Sequence, residues 1–404
     1  MKPDLLQGVR VVDLTTYAAA PGAGRMMADW GAEVIKVEGF TGDPMRVFGN
    51  NMGVPCTDDE NPIWELENGN KKGVAINLKN EKGMEFMLKL LESADIFITN
   101  VRLNSLTKMG LDYDTLHARF PKLVWGHVSG YGVYGEEAPR PGFDVVSYWS
   151  RGGQLIDLAP IGNPPLTPPY GVGDHTTSLV LLCGVLAALN KAKATGKGSR
   201  INSSLMNTAM WVSSLMLIST QYGDEWPKDR YMPSTPLSAT YQCSDGEWIT
   251  LTVLDFDRYW KPFVEALEMD ASYADNTRFS TIVEAKKPEN EPEMVKAIEA
   301  AFAKNTSEYW QKRLNAADIA FEVARHFKDL PHDKQAIANH YSVEFTMRNG
   351  KKFMLPMTPI QIDVNEALDS AHAPGIGEHT AHYMKDVGYT EDQIKEAMDG
   401  GAVK

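Results

Sequence analysis

Short apolar stretches alternate with helical segments along the first 128 residues, and this alternation limits the fold more than any other feature of the chain. Buried strands are predicted at residues 10–14, 32–38, 73–78, 94–99 and 122–128. Helices are predicted between them at 21–30, 81–92 and 105–120, the last with a break at Gly110. Strand–helix alternation of this kind indicates a parallel sheet with helices on both faces. The sequence therefore predicts an α/β fold.

In such sheets, ligands bind beyond the carboxyl ends of the strands. The segments that follow these ends are 15–20, 38–44, 100–104 and 129–135, and we expect the ligand site there. Residues 39–70 are rich in Gly, Asn, Asp and Pro and are predicted to form one long loop. Loops of that length inside a domain are usually functional or mobile.

The pattern changes at about residue 225, and we predict a second, smaller α+β domain over 225–330. Residues 241–253 are typical of a hairpin with an Asp-Gly turn, and helices are predicted at 257–268, 291–304 and 306–316. The large domain then comprises 1–224 and 331–404. Its last part is predicted to contain a strand at 353–362 and two helices, the second opened by a capping-box spacing at Thr390.

A charged residue opens the most apolar helix of the chain. Gly171 and Gly173 flank this start, Asp174 follows, and the stretch from Leu179 to Leu189 has no polar side chain except Cys183. A helix N-terminus stabilises a carboxylate, and a charge carried toward the interior is costly unless it is used. Asp174 is therefore a candidate functional residue. The alternative is that Asp174 or Thr176 only caps the helix, as Asp and Thr commonly do.

Composition excludes several classes of function. The net charge of −13 argues against a nucleic-acid surface, which needs a basic face, but it does not exclude a small anionic ligand. The longest apolar runs are shorter than a membrane span needs, and residues 1–6 have no signal-peptide character. The three cysteines are too far apart for a disulfide framework or a zinc site, so a reducing cytoplasm is expected.

Two motifs match the spacing of known binding sites but lack the neighbouring residues that such sites need. Gly130-Tyr-Gly-Val-Tyr-Gly135 has the dinucleotide-binding spacing, but it runs into Glu136-Glu-Ala-Pro instead of opening a helix, which argues against NAD binding. His379 and His382 have no evident third ligand, so no metal site is expected.

The chain resembles the family III CoA-transferases. The likeness begins with Gly8-Val-Arg-Val-Val-Asp-Leu-Thr, Met27-Ala-Asp-Trp-Gly-Ala-Glu-Val-Ile-Lys-Val-Glu38 and Gly42-Asp-Pro44. It continues in family order through Asn68-Gly-Asn-Lys-Lys72, Lys108-Met-Gly-Leu111, Ser129-Gly-Tyr-Gly132, Gly173-Asp174 and Gly377-Glu-His-Thr380. This joint pattern is far more specific than any one of its parts.

The resemblance implies a Rossmann-like large domain containing both termini, a smaller domain, and a homodimer of two subunits threaded through each other like linked rings. It implies acyl-CoA and a carboxylic acid as substrates, with coenzyme A as a substrate and no tightly bound cofactor. It also implies that Asp174 is the covalent nucleophile, which passes through a mixed anhydride and an aspartyl-CoA thioester and so conserves the thioester energy. Backbone amides of a glycine-rich turn are the expected oxyanion donors.

By family position, seven residues are expected to line the CoA site: Ala18, Ala19, Lys72, Asn100, Val101, Lys108 and Tyr131. Lys72 and Lys108 are candidate phosphate partners, and the alternative for each is an ordinary solvated lysine. The chain departs from the formyl-CoA transferase pattern at three positions. Gly39 stands in place of an arginine, Ala18 in place of a glutamine and Ser129 in place of a lysine.

Within the superfamily, α-methylacyl-CoA racemases are the main alternative, but they use a histidine where this chain has Phe143, which cannot transfer a proton. Among transferases the chain looks most like clostridial enzymes that activate (R)-2-hydroxy acids in amino-acid fermentation. Ala18 would enlarge the acyl pocket, and Tyr148, Trp149 and 164–170 are candidate apolar walls, the alternative for each being ordinary packing. A carnitine-type or bile-acid-type transferase is the second possibility.

Overall fold

A six-stranded parallel sheet forms the centre of the fold. The computed structural model describes residues 4–362 and 369–404. The strand order is β3-β2-β1-β4-β5-β6, and every neighbouring pair is parallel. The strands are β1 (Arg10–Leu14), β2 (Glu33–Glu38), β3 (Lys72–Ala75), β4 (Ile96–Thr99), β5 (Val124–Ser129) and β6 (Arg200–Ser204). The α/β prediction is confirmed, and the strand order reverses between β1 and β4.

Helices connect the strands of this sheet and continue through the rest of the described chain. They are α1 (Pro21–Asp29), α2 (Met45–Phe48), α3 (Pro62–Asn68), α4 (Glu81–Glu92), α5 (Leu103–Met109), α6 (Tyr113–Arg119), α7 (Gln154–Asp157), α8 (Val172–Thr195), α9 (Leu205–Val212), α10 (Ser214–Ser219), α11 (Phe256–Ala266), α12 (Ser272–Asp275), α13 (Ile282–Ala285), α14 (Glu291–Phe302), α15 (Ser307–Ala316), α16 (Lys334–Ala338), α17 (Thr380–Asp386) and α18 (Glu391–Asp399). A π-helix spans Asp144–Ser150.

The apolar helix α8 packs against α1, β5 and β6. Two glycines allow this close packing. A Cβ on Gly126 of β5 would lie 2.7 Å from Val185, and a Cβ on Gly184 of α8 would lie 2.6 Å from Ile201 of β6. Because these residues hold α8 directly on the sheet, the first turn of α8 is fixed relative to the strand ends.

The helix α8 extends beyond the apolar stretch from Leu179 to Leu189 by which the sequence indicated it. Its 24 residues are long and apolar enough to cross a membrane, judged by length and composition alone. The same test is passed by helices inside globular cores, and the face of α8 with Leu181, Val185 and Ala188 is buried against the sheet.

Residues 39–70 do not form one long loop, contrary to the prediction. They contain α2, a 3-10 turn over Gly49–Met52, and α3. The start of α3 is capped by Asn61, whose side chain accepts a hydrogen bond from the backbone of Trp64 (3.2 Å). The polar composition that favoured a loop instead supplies the caps of short helices.

The C-terminal residues return to the sheet edge formed by β3. Val403 forms an isolated bridge with Ile76, and the Lys404 amide donates to the Ala75 carbonyl (3.1 Å). The capping box at Thr390 is present at the start of α18, as predicted. The predicted strand 353–362 is shorter: β11 (Lys352–Pro356) pairs with β10 (Ser342–Thr346), and prolines 356 and 359 lack the amides that would extend the ladder.

The chain groups into two compact units. The larger comprises Met1–Gln154, Pro168–Leu217 and Pro331–Lys404, and the smaller comprises Leu155–Thr167 and Ile218–Leu330. The smaller unit contains an antiparallel sheet of β7 (Thr240–Gln242), β8 (Trp248–Leu251) and β9 (Phe321–Val323), with helices α11 to α15 packed around an apolar core. This division differs from the predicted limits of 224 and 330 by placing 155–167 and 218–224 in the smaller unit.

Candidate active site

Asp174 is the third residue of α8. The N-cap position belongs to Gly171, which has a left-handed φ of 81° and no capping side chain. The hydroxyl of Thr176 donates back to the Val172 carbonyl (2.6 Å), so it does not cap the helix either. The Asp174 carboxylate accepts no hydrogen bond from any residue within 4–362 or 369–404, and it is partly exposed. The capping alternative is therefore wrong for both residues.

The carboxylate of Asp144 holds the backbone that precedes Asp174. It accepts hydrogen bonds from the amides of Gly171 (2.8 Å) and Gly173 (3.1 Å). A Cβ on Gly173 would lie 2.3 Å from an oxygen of Asp144 and 2.3 Å from the ring of Tyr148, so only glycine fits there. These two amides are consequently used to fix the helix start and are not free to bind a substrate oxyanion.

A histidine lies directly after the nucleophile candidate. Nε2 of His175 lies 2.7 Å from Oε1 of Glu67, which is buried on α3. The imidazole itself is half-exposed. A buried carboxylate is costly without a partner, and His175 is that partner.

The electrostatics of this cluster raise the pKa of both the Asp174 carboxyl and the His175 imidazole. Burial raises the pKa of Asp174 to about 7; the carboxylates of Asp144 and Glu67 act in the same direction, and His175 opposes them. The negative charge of Glu67 raises the pKa of His175 to about 9, against the cost of burial. Burial also raises the pKa of Asp144, which its two amide hydrogen bonds oppose. Perturbed groups of this kind are concentrated at functional sites.

The structure brings Ala18 and Ala19 next to the start of α8. The hydroxyl of Ser178, one turn after Asp174, lies within hydrogen-bonding distance of the carbonyls of Ala18 (3.2 Å) and Ala19 (2.7 Å). A Cβ on Gly22 would lie 2.5 Å from that hydroxyl. The segment after β1 is thereby held against the helix that carries Asp174.

Asn100 ties together the ends of β1 and β4, where the strand order reverses. Its side chain accepts from the Thr16 amide (2.9 Å) and donates to the Thr16 carbonyl (2.7 Å). Val101 follows it, and Tyr131 lies beyond the end of β5. Thus Ala18, Ala19, Asn100, Val101 and Tyr131 all follow carboxyl ends of strands, where sheets of this type bind ligands.

Lys72 and Lys108, the two candidate phosphate partners, do not lie directly after the carboxyl end of a strand. Lys72 opens β3 and therefore lies at the amino end of its strand. It lines a cavity together with Arg348, His379 and residues 31–34 at the start of β2. Lys108 is exposed in the last turn of α5. Their role as phosphate partners stays a prediction.

A buried charge network fixes the segment after β1, and the sequence analysis did not identify it. Nζ of Lys71 lies 2.9 Å from Asp13, and both side chains are fully buried. Nζ of Lys36 lies 2.8 Å from Asp43 and 2.6 Å from the Thr15 carbonyl. Asp43 in turn accepts from the amide of Tyr17 (3.1 Å).

Sequence reasoning also missed the roles of Asp144, Glu67 and His175 at this site. Asp144 lies next to Phe143, which drew attention only as a departure from the racemase pattern, and Glu67 lies in the segment predicted to be a loop. Their contacts span 27 and 108 positions, so no local pattern indicates them. Within the described residues, no group of three His, Cys, Asp or Glu side chains is arranged to hold a metal ion.

Comparison with known proteins agrees with this geometry. The sequence model that describes the CoA-transferase family III matches residues 6–380 of this chain. The chain is 39% identical to (R)-2-hydroxy-4-methylpentanoate CoA-transferase of Clostridioides difficile, over 99% of this chain and 100% of that protein. It is 36% identical to cinnamoyl-CoA:phenyllactate CoA-transferase of Clostridium sporogenes, over 97% of this chain and 96% of that protein.

The fold agrees as well. A CaiB/BaiF family protein of Brucella suis, whose crystal structure is known, superposes with a TM-score of 0.79 at 25% identity, covering 96% of this chain and all of that one. The family model covers most of the chain, and the parallel sheet and the aspartate in the first turn of α8 agree with it: this chain belongs to the CoA-transferase family III.

Proposed function

We propose that this enzyme transfers CoA from an acyl-CoA to an (R)-2-hydroxy acid with an apolar side chain, and that Asp174 is its nucleophile. The observation that carries the proposal is the Asp174 carboxylate, which is partly exposed, accepts no hydrogen bond from the described residues, and stands at the start of a fixed helix. A carboxylate without a structural partner is free to react. The names of the two clostridial relatives support the acid class.

The overall transfer neither consumes nor releases a proton. An Asp174 oxygen attacks the thioester carbonyl, the C–S bond breaks, and CoA thiolate leaves an anhydride behind. The thiolate attacks the aspartyl carbonyl, and the donor acid departs from an aspartyl-CoA thioester. The acceptor carboxylate then attacks this thioester and expels the thiolate, which finally attacks the acceptor's carbonyl and frees Asp174. The first step needs an ionised Asp174 and the third an ionised acceptor, while the thiolate is the nucleophile of the other two, so the ionisation of Asp174 is part of the mechanism.

Isotope exchange tests this proposal directly. With labelled 2-hydroxy acid and its CoA thioester, we expect label to enter the thioester without net consumption of either. A protein that only binds CoA would show binding and no exchange, and a nicotinamide-dependent enzyme would bind NAD instead. Hydrolysis of the thioester without exchange would contradict the proposal.

Aromatic rings near the start of α8 support an apolar acceptor. Tyr17 makes edge contacts with Phe48 (6.4 Å between centroids) and Phe143 (5.7 Å), and Phe48 makes another with Tyr170 (5.7 Å). Phe143 and Tyr170 are more than half exposed and flank Asp144 and Gly171 in sequence. Tyr148 and Trp149, the walls suggested by the sequence, are instead buried, and Tyr148 packs on Gly173.

We expect branched and aromatic 2-hydroxy acids to be better acceptors than formate, lactate or carnitine. Each buried methylene contributes about 0.8 kcal/mol, so a four-carbon side chain favours its acid by up to about two orders of magnitude in kcat/KM. The measurement is transfer to 2-hydroxyisocaproate and phenyllactate against those three acids. A preference for the small or cationic acids would overturn the acceptor class and leave CoA transfer standing.

We further propose a homodimer of interlocked subunits. Helices α8, α9 and α10 expose several large apolar side chains: Trp211 and Leu215 are 76% and 78% exposed, and Val172, Val180 and Met210 are at least 40% exposed. Soluble proteins rarely leave contiguous surfaces of this kind uncovered. A second copy of the chain would cover them.

Threaded subunits part only when a domain opens, so the dimer should persist at nanomolar concentration and dissociate only on unfolding. Light scattering and subunit exchange between tagged copies measure this. We expect Leu215→Glu to disturb assembly and Leu254→Glu, which alters a 93% exposed residue of the smaller unit, to leave it intact. Free exchange of monomers would contradict the interlocked arrangement.

A further inference from the structure

The proposed acceptor carries a hydroxyl on the carbon next to its carboxylate, and a pocket that selects such acids needs a polar group that meets this hydroxyl. We propose that Tyr17 supplies it: the phenolic hydroxyl of Tyr17 binds the 2-hydroxyl of the acceptor, and its ring forms part of the apolar wall. Tyr17 is then a specificity-determining residue of the transfer. This inference rests on the proposed function, because it requires a 2-hydroxy acid as the acceptor.

The backbone of Tyr17 is held in an unusual conformation. Its φ of 61° lies in the left-handed region, which is costly for a residue with a bulky side chain. The Tyr17 amide donates to Oδ1 of Asp43 (3.1 Å), and Oδ2 of Asp43 lies 2.8 Å from Nζ of Lys36, with both charged side chains buried. Strained residues persist only where the surrounding structure fixes them, and they are concentrated at active sites and ligand-binding sites. The Tyr17 side chain therefore starts from a fixed point just beyond the end of β1.

Tyr17 is linked to the start of α8 through its neighbour Ala18. The hydroxyl of Ser178 lies 3.2 Å from the Ala18 carbonyl and 3.1 Å from the carbonyl of Asp174. One hydroxyl group thus joins the residue after Tyr17 to the backbone of the proposed nucleophile. An acceptor carboxylate has to reach the Asp174 carboxyl, and its 2-hydroxyl is one carbon away, so the group that binds this hydroxyl has to lie in the same region.

The ring of Tyr17 reaches the start of α8 by a second route. It meets the ring of Phe143 edge-on, with 5.7 Å between centroids and 90° between planes. The next residue, Asp144, accepts hydrogen bonds from two backbone amides of the turn that leads into Asp174. The two routes together place the Tyr17 side chain beside the first turn of α8.

The phenolic hydroxyl of Tyr17 is available to a ligand. It forms no hydrogen bond within the described part of the chain, and the residue is partly exposed. Its ring neighbours Phe48 and Phe143 have no hydrogen-bonding side-chain group. The hydroxyls of Thr176 and Ser178 already donate to backbone carbonyls. An acid that displaces water from the Tyr17 hydroxyl has to replace the lost hydrogen bond, which a 2-hydroxyl does and a hydrogen atom does not.

Tyr170 is the other tyrosine of this aromatic group. Its ring contacts Phe48 (5.7 Å between centroids), and the residue is 61% exposed. Ordering an exposed side chain around a ligand costs conformational entropy, whereas the backbone of Tyr17 is already fixed. The structure therefore favours Tyr17, and Tyr170→Phe serves as the competing variant in the experiment.

The experiment compares each 2-hydroxy acid with the acid that lacks only the hydroxyl: 2-hydroxyisocaproate with isocaproate, and phenyllactate with 3-phenylpropionate. In the wild type, kcat/KM should favour the hydroxy acid by about tenfold or more, because the other acid leaves the Tyr17 hydroxyl unpaired. Tyr17→Phe keeps the ring and breaks no hydrogen bond of the described structure. It should raise the KM for the hydroxy acid by roughly tenfold and change transfer to the other acid far less, so that most of the preference is lost.

Three results would overturn the role of Tyr17. A hydroxyl that only supports the fold would lower transfer to both members of each pair alike in Tyr17→Phe. A wild type that does not distinguish the two members would leave the hydroxyl nothing to select. Loss of the preference in Tyr170→Phe instead of Tyr17→Phe would assign it to the other tyrosine. Circular dichroism checks folding, and should Tyr17→Phe fail to fold, the wild-type ratio and Tyr170→Phe still decide the question.

Failure of this inference is distinguishable from failure of the proposed function. If the wild type transfers CoA to neither 2-hydroxy acid, the proposed acceptor class falls. If the wild type shows the expected preference and Tyr17→Phe retains it, only the role of Tyr17 falls.

Discussion

Asp174→Asn is expected to lower CoA transfer by about four orders of magnitude or more while the protein remains folded, as removal of a covalent nucleophile does in other enzymes. The amide has nearly the same shape as the carboxyl and breaks no hydrogen bond of the described structure, because the Asp174 side chain accepts none. Circular dichroism and thermal melting check the fold, and the exchange assay checks transfer.

The covalent intermediates provide a second readout of the same prediction. Hydroxylamine should inactivate the wild type only when acyl-CoA is present, since it attacks the aspartyl anhydride or thioester, and it should leave Asp174→Asn unmodified. Mass spectrometry of the peptide that contains Asp174 measures the hydroxamate. Thr176→Val is the matched control on the same turn, because its hydroxyl only donates to the Val172 carbonyl. Transfer by Asp174→Asn near the wild-type rate would contradict the assignment.

Lys71→Met is expected to have the largest effect on stability. It leaves Asp13 buried, with Lys36 as its nearest remaining cation at 3.9 Å. Breaking one partner of a buried ion pair costs about 3–5 kcal/mol, whereas replacing both partners costs much less. The urea midpoint should fall strongly in Lys71→Met and less in the double variant Asp13→Leu/Lys71→Met.

The neighbouring lysine is the matched control for this change. Lys72 is exposed and has no ion pair in the described structure, so Lys72→Met should leave the urea midpoint almost unchanged. If Lys72 binds a CoA phosphate, Lys72→Met should instead raise the KM for acyl-CoA. Equal destabilisation by the two substitutions would contradict the assignment of Lys71 as the buried partner of Asp13.

The sequence by itself determined the features that depend on local patterns. Strand–helix alternation over residues 10–128 predicted the parallel sheet, since apolar runs of strand length between amphipathic helices can be buried only in that way. The capping box at Thr390 and the helix behind Gly171 and Asp174 follow from side chains within three or four positions of each other. The family could be recognised as well, because its signature is a set of short motifs in a fixed order along the chain.

Only the tertiary structure decided which charges are buried and which of them meet. Nothing local distinguishes Lys71, buried against Asp13, from exposed Lys72, because burial depends on where the chain turns at the start of β3. The partnership of Glu67 with His175 spans 108 positions and arises because α3 and α8 both pack against α1. Long-range packing sets the burial of Asp174 and its distances to other charges. The pKa of Asp174 therefore depends on the folded structure and could not be predicted from the sequence.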